Sequence, residues 1–269
     1  MKVRPTTIKP VFLLIAPLIT SSAIVLSPNQ ANAATLALSE NHIEFSGFNF
    51  SPESTGTFTN TNATVVSNSE FVRADANALA FLSSNPPRGE SFSIAQVLGD
   101  GAEYAGLATG EASLVGQFSV QNQFSFNFKA LLNLKTFVDD SATETARAGG
   151  ELFFALFADN DLGNPIDVFS VRGFLDTPGN QDNFGLNVGS NVSLSQNLNG
   201  SFGGNTESIF ALFQGSYQRA FDAPKQLTLV QGQFSSASTA AVPEPTTIVG
   251  VLLTGVAGMA LKRKKNCNS

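Results

Sequence analysis

Cysteine, histidine and tryptophan are nearly missing from the 269 residues, which include one cysteine, one histidine and no tryptophan. The cysteine, Cys267, is the third residue from the end, so no disulfide framework can stabilise the long middle of the chain. With one histidine, a zinc site built from several histidines lacks ligands. A catalytic serine triad would have to use His42, and the chain has no Gly-x-Ser-x-Gly motif for its serine. Paired carboxylates for glycoside hydrolysis stay possible, but no spacing selects two of them. We therefore predict no enzyme.

Basic residues are scarce in the middle of the chain. Residues 34–241 hold twenty of the 21 acidic residues but only eight of the fifteen basic ones, so their net charge is near −12. This charge disfavours nucleic acids and anionic membrane surfaces, and it helps a protein stay in solution. Divalent cations or cationic partners would also suit it, although solubility is the simpler explanation.

The N-terminus has the layout of a signal peptide. Its first ten residues carry three positive side chains, Lys2, Arg4 and Lys9. Residues 11–26 are mostly apolar, and Ala31 and Ala33 form a small-x-small cleavage site. We predict that residues 1–33 direct the chain to the Sec export machinery, and that signal peptidase leaves Ala34 as the mature N-terminus. An uncleaved anchor is the alternative, and it would give the same topology.

The end of the chain combines a proline motif, an uncharged apolar run and a basic cluster. The motif consists of Val242, Pro243, Glu244 and Pro245. Prolines lack an amide donor and bias the preceding residue towards extended conformations, so no helix can run back through this motif. As a helix, residues 246–261 would span roughly 24 Å of a hydrocarbon core about 30 Å thick. We predict a short transmembrane helix that needs local thinning of the bilayer or snorkelling basic side chains.

The basic cluster sets the predicted orientation of this helix. It consists of Lys262, Arg263, Lys264 and Lys265. Positive charge is retained on the cytoplasmic side, so everything before Val242 would lie outside the inner membrane. On the layout alone, an ordinary single-pass anchor is an equal alternative to a sorting signal that is removed.

Residues 242–265 resemble the PEP-CTERM sorting domain of Gram-negative bacteria, including cyanobacteria. They share a Val-Pro-Glu-Pro motif, a short Gly/Leu/Ala-rich span and a terminal run of Lys and Arg. The resemblance implies recognition by an exosortase, a transpeptidase-like membrane enzyme. The tail would be removed, and the body would be released or attached at the cell surface or in the exopolysaccharide matrix. Residues 266–269 form a short tail beyond the basic run, where many family members end.

The body, residues 34–234, alternates apolar and polar side chains with a period of two. Even positions are mostly apolar from Phe118 to Leu134 and again from Phe184 to Leu198, which predicts strands with one buried face. Shorter strands are predicted at 43–50, 56–66, 91–97, 112–120, 151–157, 167–174, 208–213 and 226–234. Residues 71–82 are rich in alanine and would suit a strand or a helix; we predict a strand.

Many strands separated by turn sequences predict a single all-β domain, an antiparallel β-sandwich or jelly roll. Of the 24 phenylalanines, 23 lie in this body. Burial of each is worth on the order of 1.5–3 kcal/mol before entropy is counted, so a core can form without disulfides. Residues 235–241, Ser-Ser-Ala-Ser-Thr-Ala-Ala, predict a flexible tether between body and sorting motif.

Residues 159–167 form the best candidate metal site. Asp159, Asp161 and Asp167 place oxygen ligands around a glycine turn, an arrangement that suits calcium. The stretch lacks the downstream glutamate of an EF-hand, and Pro165 alters its backbone. A polar hairpin between two strands is the alternative. We predict no other cofactor.

Two functions agree with these features. One is a structural or adhesive protein of the cell surface or the exopolysaccharide. The other is a carbohydrate-binding module or hydrolase that acts on that polysaccharide. Sugar sites usually present exposed aromatic faces, whereas the body has no tryptophan, two tyrosines, and phenylalanines mostly on predicted core faces. The sequence therefore favours the structural or adhesive protein.

Overall fold

The computed structural model describes residues 34–67, 71–101, 103–159 and 161–242. The predicted signal peptide and the sorting tail beyond Val242, including its predicted transmembrane helix, lie outside the described residues. Among the described residues, no helix is long and apolar enough to cross a membrane.

The described residues form twelve strands. In chain order they are β1 (Ala34–Ser46), β2 (Ser54–Ser67), β3 (Phe71–Ser84), β4 (Pro87–Asp100), β5 (Tyr104–Val120), β6 (Gln123–Phe137), β7 (Glu144–Ala158), β8 (Asp167–Thr177), β9 (Asn183–Val188), β10 (Val192–Ser201), β11 (Thr206–Ala220) and β12 (Lys225–Ala241). Sheet A has the order β10-β11-β6-β1-β4-β3, and sheet B has the order β2-β5-β12-β7-β8-β9. All pairings are antiparallel. The predicted all-β class and its sandwich-like pair of antiparallel sheets are confirmed.

A phenylalanine-rich core joins the inner faces of the two sheets. Phe126 on β6 of sheet A lies edge-on to Phe154 on β7 of sheet B, with ring centroids 5.4 Å apart. Phe126 also stacks on Tyr217 of β11 at 5.2 Å. Edge-to-face and offset pairs of this kind contribute about 0.5–1.5 kcal/mol beyond the burial of their area. Aromatic packing thus holds the sandwich together without disulfides in the described body.

Small side chains bring the two sheets close together away from the phenylalanines. A second buried cluster contains Ala37, Ala95, Val97, Ala108, Val138, Ala146 and Ala237. At Gly110 of β5, a Cβ atom would lie 3.0 Å from the carbonyl oxygens of Asn77 and Ile94 in sheet A. The inward positions at the starts of β1, β5 and β7 are mostly alanine, glycine and polar residues, which give little hydrophobic alternation. These three strands therefore begin several residues earlier than the sequence predicts.

The long strand predicted from Phe118 to Leu134 is wrong, because it contains the end of β5 and most of β6. The strands are joined at residues 121–122, and β5 belongs to sheet B whereas β6 belongs to sheet A. Two connecting residues leave the even positions facing inwards on both sides of the turn. The alternation therefore continues through a point where the chain changes sheets.

The second long strand, predicted from Phe184 to Leu198, also consists of two strands in different sheets. They are β9 and β10, each at the edge of its sheet. Leu186, Val188 and Leu198, predicted to be buried, are 37%, 38% and 48% exposed. An edge strand has a neighbour on one side only, so its apolar side chains are covered less than the alternation suggests.

The flexible tether predicted at residues 235–241 is wrong, because these residues are the end of β12. They pair with β5 on one side and β7 on the other as far as Ala241. Ser235, Ala237 and Thr239 are at most 3% exposed. The ladder on both sides holds this strand, and its small residues fit where the sheets approach each other. Val242 of the sorting motif follows β12 directly.

Both ends of the described body lie at the same end of the sandwich. Ala34, at the start of β1, pairs with Asp100 of β4. Ala241, at the end of β12, pairs with Tyr104 of β5. Only the short β4–β5 connection separates Asp100 from Tyr104, so the chain enters and leaves the body close to this connection.

Candidate functional site

Three phenylalanines lie close together on the outer face of sheet B, outside the core. Four residues form one row across neighbouring strands of this face: Phe58 of β2, Ser113 of β5, Gly232 of β12 and Phe153 of β7. Three strand spacings separate the Cα atoms of Phe58 and Phe153 by about 14 Å. Phe234, two residues after Gly232, lies on the same face. Phe58 is 57% exposed and Phe234 is 38% exposed.

Gly232 leaves room for a shallow depression between these rings. The ring of Phe153 leans over Gly232, where a Cβ atom would lie only 2.8 Å from two ring carbons. The depression has a volume of about 280 Å³. It is lined by Phe58, Glu111, Ala112, Ser113, Glu151, Phe153, Gly232, Gln233 and Phe234. A flat ligand can therefore rest on the sheet between aromatic side chains.

Two carboxylates flank the ring of Phe234 in the next row of the sheet. Glu111 of β5 and Glu151 of β7 are the register partners of Phe234 on its two sides. Within the part of the chain that the structure describes, neither carboxylate forms an ion pair. Arg172 of β8 is the next residue in this row, beyond Glu151. Both carboxylates face outwards and can accept hydrogen bonds from a ligand.

One feature of the sequence indicates that a phenylalanine lies on this outer face, and our prediction missed it. Phe153 and Phe154 are consecutive in β7, and neighbouring side chains of a strand point to opposite faces. Phe154 is fully buried, so Phe153 must lie on the outer face. Phe58 and Phe234 carried no comparable signal, because their place beside Phe153 depends on strand pairing.

All three carboxylates predicted to bind calcium have partners within the protein. Asp159 lies 2.6 Å from the Nζ of Lys225. Asp161 accepts hydrogen bonds from the side chain of Asn164 at 2.9 Å and the amide of Gly163 at 3.1 Å. These two hydrogen bonds hold the pKa of Asp161 below its usual value. The loop therefore resembles the polar hairpin that we considered as the alternative.

Asp167, the third of these carboxylates, is buried and accepts three hydrogen bonds. Its Oδ2 lies 2.8 Å from Arg219, 2.8 Å from the side-chain amide of Asn191 and 3.1 Å from the hydroxyl of Tyr217. Burial, and then the negative charge of Asp167, raise the pKa of Tyr217. Asp167 thus joins β8 to β11 and to the β9–β10 connection, while calcium binding by the loop stays a prediction.

The connection between β6 and β7 contacts both ends of the described body. The amide of Ala34 donates to Oδ2 of Asp139 at 3.2 Å. The amide of Val242 donates to the carbonyl of Thr143 at 3.0 Å. Buried Glu144 accepts the amides of two connection residues at 2.9 and 3.0 Å, which fixes the connection itself. The other residues of the cleavage site, the sorting motif and the basic cluster lie outside the described ranges.

No protein-family model, curated protein or solved structure matches this chain.

Proposed function

We propose that this chain is an exported protein, sorted through its C-terminal tail, that adheres to exopolysaccharide through the outer face of sheet B. The open depression around Gly232, with its phenylalanine rings and its two carboxylates, is the observation that carries the proposal. This depression favours an adhesive protein that attaches by binding sugar residues of the polysaccharide.

The side chains of this face match the two sides of a sugar ring. The C–H face of a pyranose packs against an aromatic ring, and its hydroxyl groups donate hydrogen bonds to carboxylate oxygens. Phe58 and Phe234 offer exposed rings, and Glu111 and Glu151 offer the acceptors. All four residues lie on paired strands, and sites on strands hold their geometry better than sites on loops.

The net charge of the body indicates which kind of polysaccharide it would bind. The body has a net charge near −12 and two carboxylates in the site, so it repels uronic acid or sulfated polymers. A neutral polysaccharide, or one with free amino groups, avoids this repulsion. We therefore propose a neutral or amino-bearing matrix polysaccharide as the ligand.

The position of the chain ends supports the sorting part of the proposal. Ala34 and Val242 adjoin the two predicted processing sites, and both contact the β6–β7 connection. The predicted signal peptide and the PEP-CTERM-like tail would therefore leave the body at one end. Both apolar segments could enter the inner membrane while the body stays folded outside it. An exosortase-type enzyme would then remove the tail.

Hydrolysis of the polysaccharide is the alternative that the same face offers. Glu111 and Glu151 would be the paired carboxylates, and β12 lies between their strands. The side chain of Phe234 occupies the register position between them. Because Phe234 stands in register between the two carboxylates, where the scissile bond would have to approach both, we propose binding.

Pull-down of the full-length chain with the exopolysaccharide of the producing bacterium tests this function. Phe58→Ala and Phe234→Ala should each weaken retention about tenfold, the equivalent of 1.4 kcal/mol per ring. Phe202→Ala and Phe210→Ala are the matched controls, since these residues are 54% and 38% exposed outside this face. Equal losses in all four variants, or no retention of the unmodified chain, would overturn the proposal. Release of new reducing ends that Glu111→Gln abolishes would favour the hydrolase.

A further inference from the structure

His42, the single histidine of the chain, lies beside two glutamates on the outer face of sheet A. His42 and Glu44 are two residues apart on β1, so their side chains share a face. Glu44 pairs with Glu90 of β4 in the register of the sheet. The Nε2 atom of His42 lies 3.1 Å from Oε1 of Glu90 and 3.8 Å from Oε1 of Glu44.

The spacing of these atoms matches the coordination shell of a small metal ion. Tetrahedral zinc, with nitrogen and oxygen ligands at about 2.0–2.2 Å, separates neighbouring ligand atoms by about 3.3 Å. The two observed distances, 3.1 and 3.8 Å, lie on either side of this value. One ligand atom from each of the three residues lies within 4.8 Å of the others. Small rotations of the glutamates would complete the site.

The surroundings of the cluster hold the imidazole and leave the carboxylates accessible. The side chain of His42 is only 15% exposed and packs edge-on against Phe92, with ring centroids 6.3 Å apart. Glu44 and Glu90 are 32% and 34% exposed. The apolar neighbour limits the imidazole to few orientations, while solvent can supply the remaining ligand of a bound ion.

No basic side chain neutralises the two glutamates among the residues that the structure describes. Their only ion-pair contacts are with His42. Arg88 of β4 instead places its guanidinium over the ring of Phe81 at 5.3 Å. Lys129 of β6 is the register partner of Glu44 and forms no ion pair with it. With a neutral imidazole, the cluster has a charge of −2, which a divalent cation would balance.

We propose that His42, Glu44 and Glu90 bind a divalent transition-metal ion, with zinc as the best match. Imidazole suits zinc, copper and nickel, whereas calcium and magnesium prefer sites made of oxygen atoms alone. The cluster is thereby distinct from the loop of Asp159, Asp161 and Asp167, which has oxygen ligands only. It lies on the opposite sheet from the aromatic face, so it does not depend on the proposed adhesion.

Zinc titration by calorimetry, with the full-length chain purified in mild detergent, tests this site. The chain carries Cys267→Ser, which removes its only thiol, and it has no polyhistidine tag. We expect saturable binding of one zinc ion per chain. Because there is one histidine, its imidazole nitrogen resonances report zinc binding at His42 directly, and we expect them to shift with the same saturation curve.

Matched variants locate the ligands. His42→Gln, Glu44→Gln and Glu90→Gln should each weaken zinc binding at least about tenfold. Glu40→Gln is the control, because Glu40 lies on the same face of β1 and accepts a hydrogen bond from Asn133 at 3.0 Å instead. The proposal fails if zinc does not shift the imidazole resonances. It also fails if Glu40→Gln weakens binding as much as Glu90→Gln, or if equimolar calcium displaces the zinc.

Discussion

The amide nitrogen of Ala34 lies 3.2 Å from Oδ2 of Asp139 in the β6–β7 connection. Ala34 is the residue that signal peptidase is predicted to leave as the mature N-terminus. Cleavage would turn this amide into a positively charged amino group beside Asp139. The hydrogen bond from an amide to the Asp139 carboxylate would then become an ion pair between two charged groups, which adds a direct charge–charge attraction. The predicted cleavage would thereby strengthen the contact between the start of β1 and Asp139.

Asp139→Asn should destabilise the mature protein more than the uncleaved precursor. Asp139 is exposed, so the expected loss in the free energy of unfolding is about 0.5 kcal/mol in the mature form. Denaturant unfolding of both forms measures it, with the precursor preserved by replacing Ala31 and Ala33 with bulky residues. An equal loss in both forms would mean that the new charge of Ala34 plays no part.

Tyr217 should make the body unstable in alkali. Burial and the charge of Asp167 raise the pKa of the Tyr217 hydroxyl in the folded state, whereas in the unfolded chain it ionises near pH 10. A group whose pKa is raised on folding contributes its full stability below the unfolded pKa and loses it as the pH rises. We expect a loss of up to about 1.4 kcal/mol per pH unit above pH 10.

Tyr217→Phe should remove this alkaline loss. At neutral pH the variant should be less stable by about 1 kcal/mol, because Asp167 loses one of its donors. Unfolding curves of the two proteins between neutral pH and pH 11 give the comparison, and groups common to both cancel in the difference. Parallel pH profiles would show that folding does not raise the pKa of Tyr217.

Gly232→Val should remove polysaccharide binding by filling the depression in sheet B. Its Cβ would lie 2.8 Å from the ring of Phe153, so the ring must move and the flat face is lost. We expect retention on the exopolysaccharide to fall at least about tenfold. Gly56→Ala is the control, since a Cβ there meets no atom within 4 Å and Gly56 lies on the same face beside Phe58. Undiminished retention by Gly232→Val would exclude this depression as the binding site.

Replacement of Pro243, Glu244 and Pro245 by alanine should leave the protein uncut in the inner membrane. The extended conformation that the prolines favour is lost, and helix could then continue into the motif. The mass of the protein recovered from membranes and from the medium measures both processing steps at once. A variant that reaches the medium at the same mass as the unmodified protein would refute removal of the tail by motif recognition.

Short stretches of the sequence determine part of this architecture. The polar residues between Phe124, Phe126 and Phe128 specify a strand and the face that it buries, because alternation along a strand is a local property. The phenylalanines also supply a core that needs no cysteine. For these reasons the all-β class and most strands could be predicted.

The grouping of the strands into sheets, and therefore both candidate sites, depended on contacts between distant residues. Glu90 reaches His42 because β4 pairs with β1, and Phe153 joins Phe58 because β12 and β5 lie between their strands. Residues 235–241 look like a linker by composition, yet the ladders to β5 and β7 bury them. Composition and period determine what a segment can form. Packing and hydrogen bonding across the whole body determine which strands pair. A local sequence pattern does not contain this information.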